Sequence, residues 1–195
     1  MKLILASNSK QRQDIFDQIG LEYEIMLSDE KEFSESDNPD DYVKDLSVVK
    51  ANSVASKLKE GAIIISADTI IYMDGKIYEK PKTKKEAFNN IKEMCGKVTY
   101  AYTGVTIKDL YTNQQLTFCD VCKVYINNVS DDDIKWYVEN EENILKRCGY
   151  AILGKACLFL DKVEGDYNSL FGISPSKVYG KLKELGYKIT DFDLK

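Results

Sequence analysis

The chain alternates short apolar runs with stretches whose apolar residues recur every three to four positions, the pattern of strands and helices taking turns. Lys2–Ala6 reads as an apolar strand, after which Ser9 is predicted to N-cap a helix whose Ile15, Phe16 and Ile19 share a face before Gly20 ends it. Leu21, Tyr23, Ile25 and Leu27 alternate as a second strand. Beyond an acidic loop, Asn38-Pro39 opens a long helix with Asp40 and Asp41 in its dipole-favoured first turn. Leu46, Val49, Val54 and Leu58 form its predicted core face, and Gly61 closes it. A buried strand, Ala62–Ala67, then runs through Asp68-Thr69 into Ile70–Met73, turns at Asp74-Gly75 and returns through Lys76–Glu79.

Thr83 and Glu86 have capping-box spacing for a helix that ends at Gly96. Val98–Lys108 and Gln115–Asn127 are predicted to pair as long strands across Thr112-Asn113. Ser130 with Asp133 starts a helix through Trp136 and Tyr137, and a strand at Ala156–Val163, a helix start at Ser174-Pro175 and a short strand near Tyr187–Ile189 complete the pattern. Strands that alternate with helices early and pair as hairpins late predict an α/β fold around a mixed twisted sheet flanked by helices. At 195 residues and 44% hydrophobic content, one domain over residues 1–195 is expected, with a bilobal shape allowed.

Composition then narrows the chemistry. The chain has no histidine, which excludes a Ser-His-Asp triad, a Cys-His pair and a histidine-ligated zinc and leaves acid–base work to carboxylates, lysines or tyrosines. A net charge of −5, with acids gathered at Ser28–Asp45 and Ser130–Glu142, argues against binding long nucleic acid but allows a small anion in a local basic pocket. The apolar stretch at the N-terminus is too short for a signal peptide or a membrane span, so a cytoplasmic protein with no membrane partner is expected. Cys119 and Cys122 have redox or zinc spacing, but no second such pair occurs and the alternation around them reads as a strand that would place them on opposite faces.

Two strand ends carry candidate chemistry, because ligands in open α/β sheets gather beyond the carboxyl ends of strands. One delivers Ser7, Asn8, Ser9, Lys10, Gln11 and Arg12 onto a helix N-terminus, an anion-binding arrangement. The other delivers Asp68, a carboxylate able to hold a metal or activate water. Each piece has a plainer reading: Ser9 as an N-cap only, Asp68-Thr69 as a bend, Lys80, Lys82, Lys84 and Lys85 as solvated charge, Lys50 as a lysine snorkelling from the edge of an apolar face. No P-loop and no GxGxxG occurs. The residues alone point to an anion-binding α/β enzyme with an oxygen-ligated divalent metal.

Three segments then match a known family. LILASNSKQR resembles the N-terminal signature LASxSPRR of the Maf family, septum-formation-inhibitor-like nucleotide pyrophosphatases. SADTIIYMDGKIYEKPKTKKEAFNNIKEMCGKVTYAYTGV resembles its central block, ADT, DGxxxxKP and G(K/R)xxxxYTG, and EGDYNSLFGIS is similar to its EGxYxxVxGLP. The resemblance spans nearly the whole chain and implies a bilobal α/β fold related to inosine triphosphate pyrophosphatases. It also implies a divalent Mg²⁺ or Mn²⁺ cofactor and hydrolysis of nucleoside triphosphates to monophosphate and pyrophosphate. By the same resemblance Asp68 is the proton acceptor, and Ser7, Arg12, Lys50 and Lys80 contact phosphate. Glu32 joins Asp68 on the metal, and Ser9, Thr69 and Thr103 fall in the matching substrate-binding segments. A free aspartate has a pKa of about 3.9, ionised at neutrality but a feeble base, so the metal is expected to acidify the attacking water. Arg12, Lys50 and Lys80 would each stabilise developing charge by about 2 to 4 kcal/mol if pre-organised.

Departures from the family pattern bear on the base. Lys10 and Gln11 replace the proline and first arginine, and where the pyrimidine-directed branch reads AYGIQG this chain reads GYAILG, with Leu153 in place of the glutamine. Thr69 does match that branch. The expected function is pyrophosphatase action on dTTP, UTP or modified pyrimidine nucleotides as nucleotide-pool housekeeping. Leu153 is expected to broaden the range of accepted bases, because its side chain offers no hydrogen bond to a base edge. The competing expectations are a catalytically weak nucleotide-binding regulator of septum formation and an acidic interaction protein that docks through Ser28–Asp45. A homodimer is left open.

Overall fold

The computed structural model describes residues 1–146, 148 and 154–195. Among the described residues twelve α-helices and β-strands follow one another: β1 (Leu3–Leu5), α1 (Lys10–Ile19), β2 (Glu24–Ile25), α2 (Pro39–Ser56), β3 (Ile63–Met73), β4 (Lys76–Tyr78), α3 (Lys84–Met94), β5 (Val98–Asp109), β6 (Gln114–Ile126), α4 (Asp131–Asn140), β7 (Leu160–Glu164) and α5 (Pro175–Glu184). The hydrogen-bonded strand order is β2-β1-β3-β5-β6-β7, with β4 paired to β3, and the sheet is mixed. Contacts group the chain into two compact units, one of Met1–Thr69, Thr103–Asp120 and Tyr167–Lys195, the other of Ile70–Tyr102 and Val121–Asp166.

In the first unit β1 pairs in parallel with both β2 and β3. The run Ile63–Ile65 is buried along its whole length, as expected of a parallel strand covered on both faces. Ile4 and Ile64 pack against Ala51 and Val54 of α2. Asn38 caps that helix by accepting from Asp40 N at 2.9 Å, with Pro39 in the first turn. What lets α2 lie so close to the sheet is Gly104 of β5, where a Cβ would fall 2.2 Å from the Val43 carbonyl oxygen. Buried hydroxyls stitch the contact: Ser47 Oγ lies 2.7 Å from Thr106 Oγ1, and Ser66 Oγ donates to Ser47 O at 2.6 Å. These bonds explain why Ser47 and Ser66 are fully buried.

The second unit holds the β3–β4 hairpin, closed by Asp74 and Gly75 at φ 51° and 81°, the positive values a two-residue hairpin turn of type I′ needs. Thr83 caps α3 by accepting from Glu86 N at 3.1 Å. The Glu86 carboxylate reaches back to Lys82 N, one residue earlier than a capping box requires. Ser130 caps α4, which packs on α3, and β6 pairs antiparallel with β7.

Several expectations are corrected. The strand expected over Leu21–Leu27 is only Glu24–Ile25, because its parallel partner β1 is three residues long, and Leu21 instead bridges Leu194. Ile19 is 39% exposed; the buried face of α1 carries Arg12 with Ile15 and Phe16. Helix α2 stops at Ser56 rather than Gly61, its last turn tightening as Lys57 N and Leu58 N bond back to Val54 O and Ala55 O. Asp68-Thr69 is no bend, since β3 runs unbroken through it. The strand expected over Ala156–Val163 divides into a 3₁₀ turn, Gly154–Phe159, and β7. No strand forms at Tyr187–Ile189, where Tyr187 instead donates its hydroxyl to Asp109 at 2.8 Å. Burial opposes the Asp109 charge, but bonds from Thr112 and Tyr187 outweigh it and hold the carboxyl below its usual range. Cys122 Sγ donates to Asp166 O at 3.3 Å, and burial pushes the Cys119 thiol up to about 12, so it stays neutral. No helix among the described residues is long and apolar enough to cross a membrane.

Gly104→Ala is expected to destabilise the protein by about 1 to 3 kcal/mol, the scale of core overpacking, because the atoms its methyl would meet are backbone and cannot rotate away. Urea denaturation of the variant checks this, and a midpoint equal to the native one would contradict it.

Candidate active site

Where β1 hands over to α1, Ser9 sits at the N-cap with φ −71° and ψ 115°, yet its hydroxyl makes no capping bond. The first-turn N–H groups therefore lack a side-chain cap and remain at the positive end of the helix dipole. Ser7, buried just upstream, accepts from Ser9 N at 3.2 Å and from Arg12 Nη1 at 3.1 Å.

Arg12 is 8% exposed. Its Nε donates to Gly172 O at 2.9 Å and its Nη2 to Thr69 Oγ1 at 3.0 Å, so with Ser7 all three guanidinium nitrogens are held by neutral oxygens. Thr69 Oγ1 lies 3.0 Å from Thr103 Oγ1, which is almost fully buried in β5. A planar fork gripped on three sides is oriented before any ligand arrives.

One residue back along β3, Asp68 Oδ1 lies 2.5 Å from Lys50 Nζ of α2. The same ammonium stands 3.0 Å from Glu32 Oε2. The Lys50 and Asp68 side chains are 11% and 16% exposed and Glu32 is 46% exposed, so the trio runs from the interior to the surface. Two carboxylates on one ammonium leave a net charge of −1 at the mouth. That set suits a hard cation that uses one or two carboxylates and completes its shell with substrate phosphates, and it does not form a protein cage. Among the described residues, no three His, Cys, Asp or Glu side chains form a ligand group.

The structure thus brings together Ser7, Ser9, Arg12, Thr69 and Thr103 around one basic corner, and Lys50, Asp68 and Glu32 around the adjoining acidic one. Gln11 is half-buried in the first turn of α1. Lys80 belongs to the second unit, exposed after β4, where Lys84 donates to Glu139 O at 3.3 Å and so serves helix packing. Leu153 lies outside the described residues. Gly172, Ser169 and Asp120 were missed by the sequence reading. For Asp120 a signal was present: it occupies the inward row of β6 with Cys122, Val124 and Ile126, an acid where the alternation calls for an apolar residue.

Residues 2–185 match the family described as Maf-like protein. The chain belongs to the Maf family. It is 40% identical over 183 residues to a protein named dTTP/UTP pyrophosphatase from Thermoanaerobacter sp. (strain X514), covering 94% of this chain and 96% of that one. A protein of the same name from Carboxydothermus hydrogenoformans is 38% identical over 187 residues, covering 96% and 100%. Among solved structures, the Ham1 protein of Staphylococcus aureus aligns with a TM-score of 0.46 at 12% identity, covering 66% of this chain and 73% of that one.

Gly172 adopts φ 96°, and a Cβ there would fall 2.8 Å from Arg12 Nε. Gly172→Ala should therefore cost more than about 1 kcal/mol and push the guanidinium out of its grip. A lowered melting temperature together with a reduced thermal shift on adding nucleotide is the expected result.

Proposed function

We propose that this Maf protein is a nucleoside triphosphate pyrophosphatase that hydrolyses dTTP, UTP or modified pyrimidine nucleotides to the monophosphate and pyrophosphate, a housekeeping activity of the cytoplasmic nucleotide pool. The observation that carries the reading is the convergence of Asp68 and Glu32 on Lys50, one residue along β3 from the contact between Thr69 and Arg12. Support comes also from relatives named for that activity that match nearly the whole chain.

The triphosphate is anionic, and the cap-free N-terminus of α1 with the oriented Arg12 provides the positive corner that binds it. A water oxygen attacks the α-phosphorus, the bond from that phosphorus to the bridging oxygen breaks, and pyrophosphate leaves with the electron pair. Asp68 accepts the water proton, and Lys50, already within 2.5 Å of that carboxylate, stabilises the charge that builds on the phosphoryl oxygens. Asp68 and Glu32 would hold a Mg²⁺ or Mn²⁺ ion, which when bound lowers the pKa of the attacking water and offsets charge on the leaving group. Without it a carboxylate is too weak a base for ordinary water.

A nucleotide panel assayed separately for pyrophosphate and orthophosphate is expected to give pyrophosphate, and exclusive orthophosphate release would overturn the reading. No turnover with clear nucleotide-induced stabilisation would favour a nucleotide-binding regulator instead. Asp68→Asn should fold and lose about 10²- to 10⁴-fold in kcat, the scale of general acid–base catalysis; near-native turnover would remove Asp68 from the chemistry. Activity should vanish after exhaustive EDTA treatment and return with Mg²⁺ or Mn²⁺, and a chelated protein that still turns over would exclude the metal.

A further inference from the structure

Asp120 is an acid at 4% exposure on the inward row of β6, where nothing in the proposed reaction calls for it. Burying a lone carboxylate is costly, so its partners are informative. Ser169 Oγ donates to Asp120 Oδ2 and Lys177 Nζ of α5 donates to Oδ1, both at close range. Ser169 lies in the 3₁₀ turn Asn168–Phe171, and its carbonyl oxygen accepts from Gly172 N at 2.9 Å and from Thr103 Oγ1 at 3.4 Å. Gly172 O in turn accepts from Arg12 Nε.

The direction of the hydroxyl chain follows from counting hydrogens. Thr103 has one hydroxyl hydrogen and places it on Ser169 O, so in its contact with Thr69 it is Thr69 that donates. Thr69 Oγ1 is left with lone pairs, and Arg12 Nη2 donates into one of them. Arg12 is thus supported at Nε through Gly172 and at Nη2 through Thr69 and Thr103, and both supports meet at the Ser169 carbonyl, in the residue whose side chain is fixed by Asp120. We propose that Asp120 is a positioning residue, which through Ser169 sets the orientation of Arg12 for the nucleotide. Lys177 pairs with the carboxylate and ties α5 to the same point.

This inference rests on Arg12 acting in the nucleotide site. An acid that merely fastens α5 to β6 would affect stability alone, and a double-mutant cycle separates the two roles. Asp120→Ala, Arg12→Ala and the double variant are compared in kcat and KM for dTTP, alongside Asp120→Asn, which keeps an acceptor for Ser169. Asp120→Ala is expected to raise KM about tenfold with kcat little changed, as loss of ground-state binding does. In the Arg12→Ala background the same change should add less than about twofold, and Asp120→Asn should stay near the native KM. Ser169→Ala, which cuts the link but leaves the Asp120–Lys177 pair, should reproduce the KM effect even if Asp120→Ala fails to fold. Calorimetric binding of dTTP to the same set gives the comparison without turnover, so failure of this inference and failure of the pyrophosphatase reading are told apart. A lowered melting temperature with unchanged KM and affinity, or equal effects with and without Arg12, would overturn the proposal.

Discussion

The close seat of α2 on the sheet governs the arrangement of the first unit, and from it one ammonium meets two carboxylates. Gly104 lets α2 lie against the sheet at Val43, and from the same helix Lys50 reaches Asp68. The hydroxyls of Ser47, Thr106 and Ser66 then satisfy polar groups at a contact too tight for bulk water. Charges at 11% and 16% exposure are partly desolvated, and pairs of this kind commonly stabilise a fold no better than apolar residues of the same size. The proposed function gives their presence a chemical reason that folding does not.

The two cations of the site are held in opposite ways. Arg12 donates to a carbonyl and two hydroxyls, neutral partners that orient the fork. Lys50 is held by opposite charges, on a flexible stem. On the proposed function, a polyphosphate would meet one charge already aimed and another shared between protein carboxylates and phosphoryl oxygens. This division fits a reaction in which charge shifts from the attacking water to the leaving group.

Much of the fold was legible because helix starts and hairpin turns are written in local chemistry. Asn38-Pro39, Thr83, Ser130 and Ser174-Pro175 all cap the helices expected of them, and Asp74-Gly75 closes its hairpin. Elements defined by distant partners were not legible: β2 is short because β1 is short, and Tyr187 leaves its expected strand for Asp109, 78 residues away. On α1, counting apolar residues favoured Ile19, whereas the buried residue is Arg12, which donates hydrogen bonds to three separate segments. The site shows the same division. Asp68, Lys50, Glu32 and Arg12 could be singled out by residue type and motif, but that Lys50 joins two carboxylates is a tertiary fact. Asp120 and Ser169, 49 residues apart, meet only in the folded chain.

The central claim, that the Lys50–Asp68 charges are kept for catalysis at no gain to folding, is tested most directly by replacing both with apolar residues of similar size. The Lys50→Met/Asp68→Leu double variant, followed by urea denaturation and by pyrophosphate release from dTTP, is predicted to be at least as stable as the native protein and to release no pyrophosphate. A loss of several kcal/mol, on the order of 3 or more, or retained hydrolysis would contradict it.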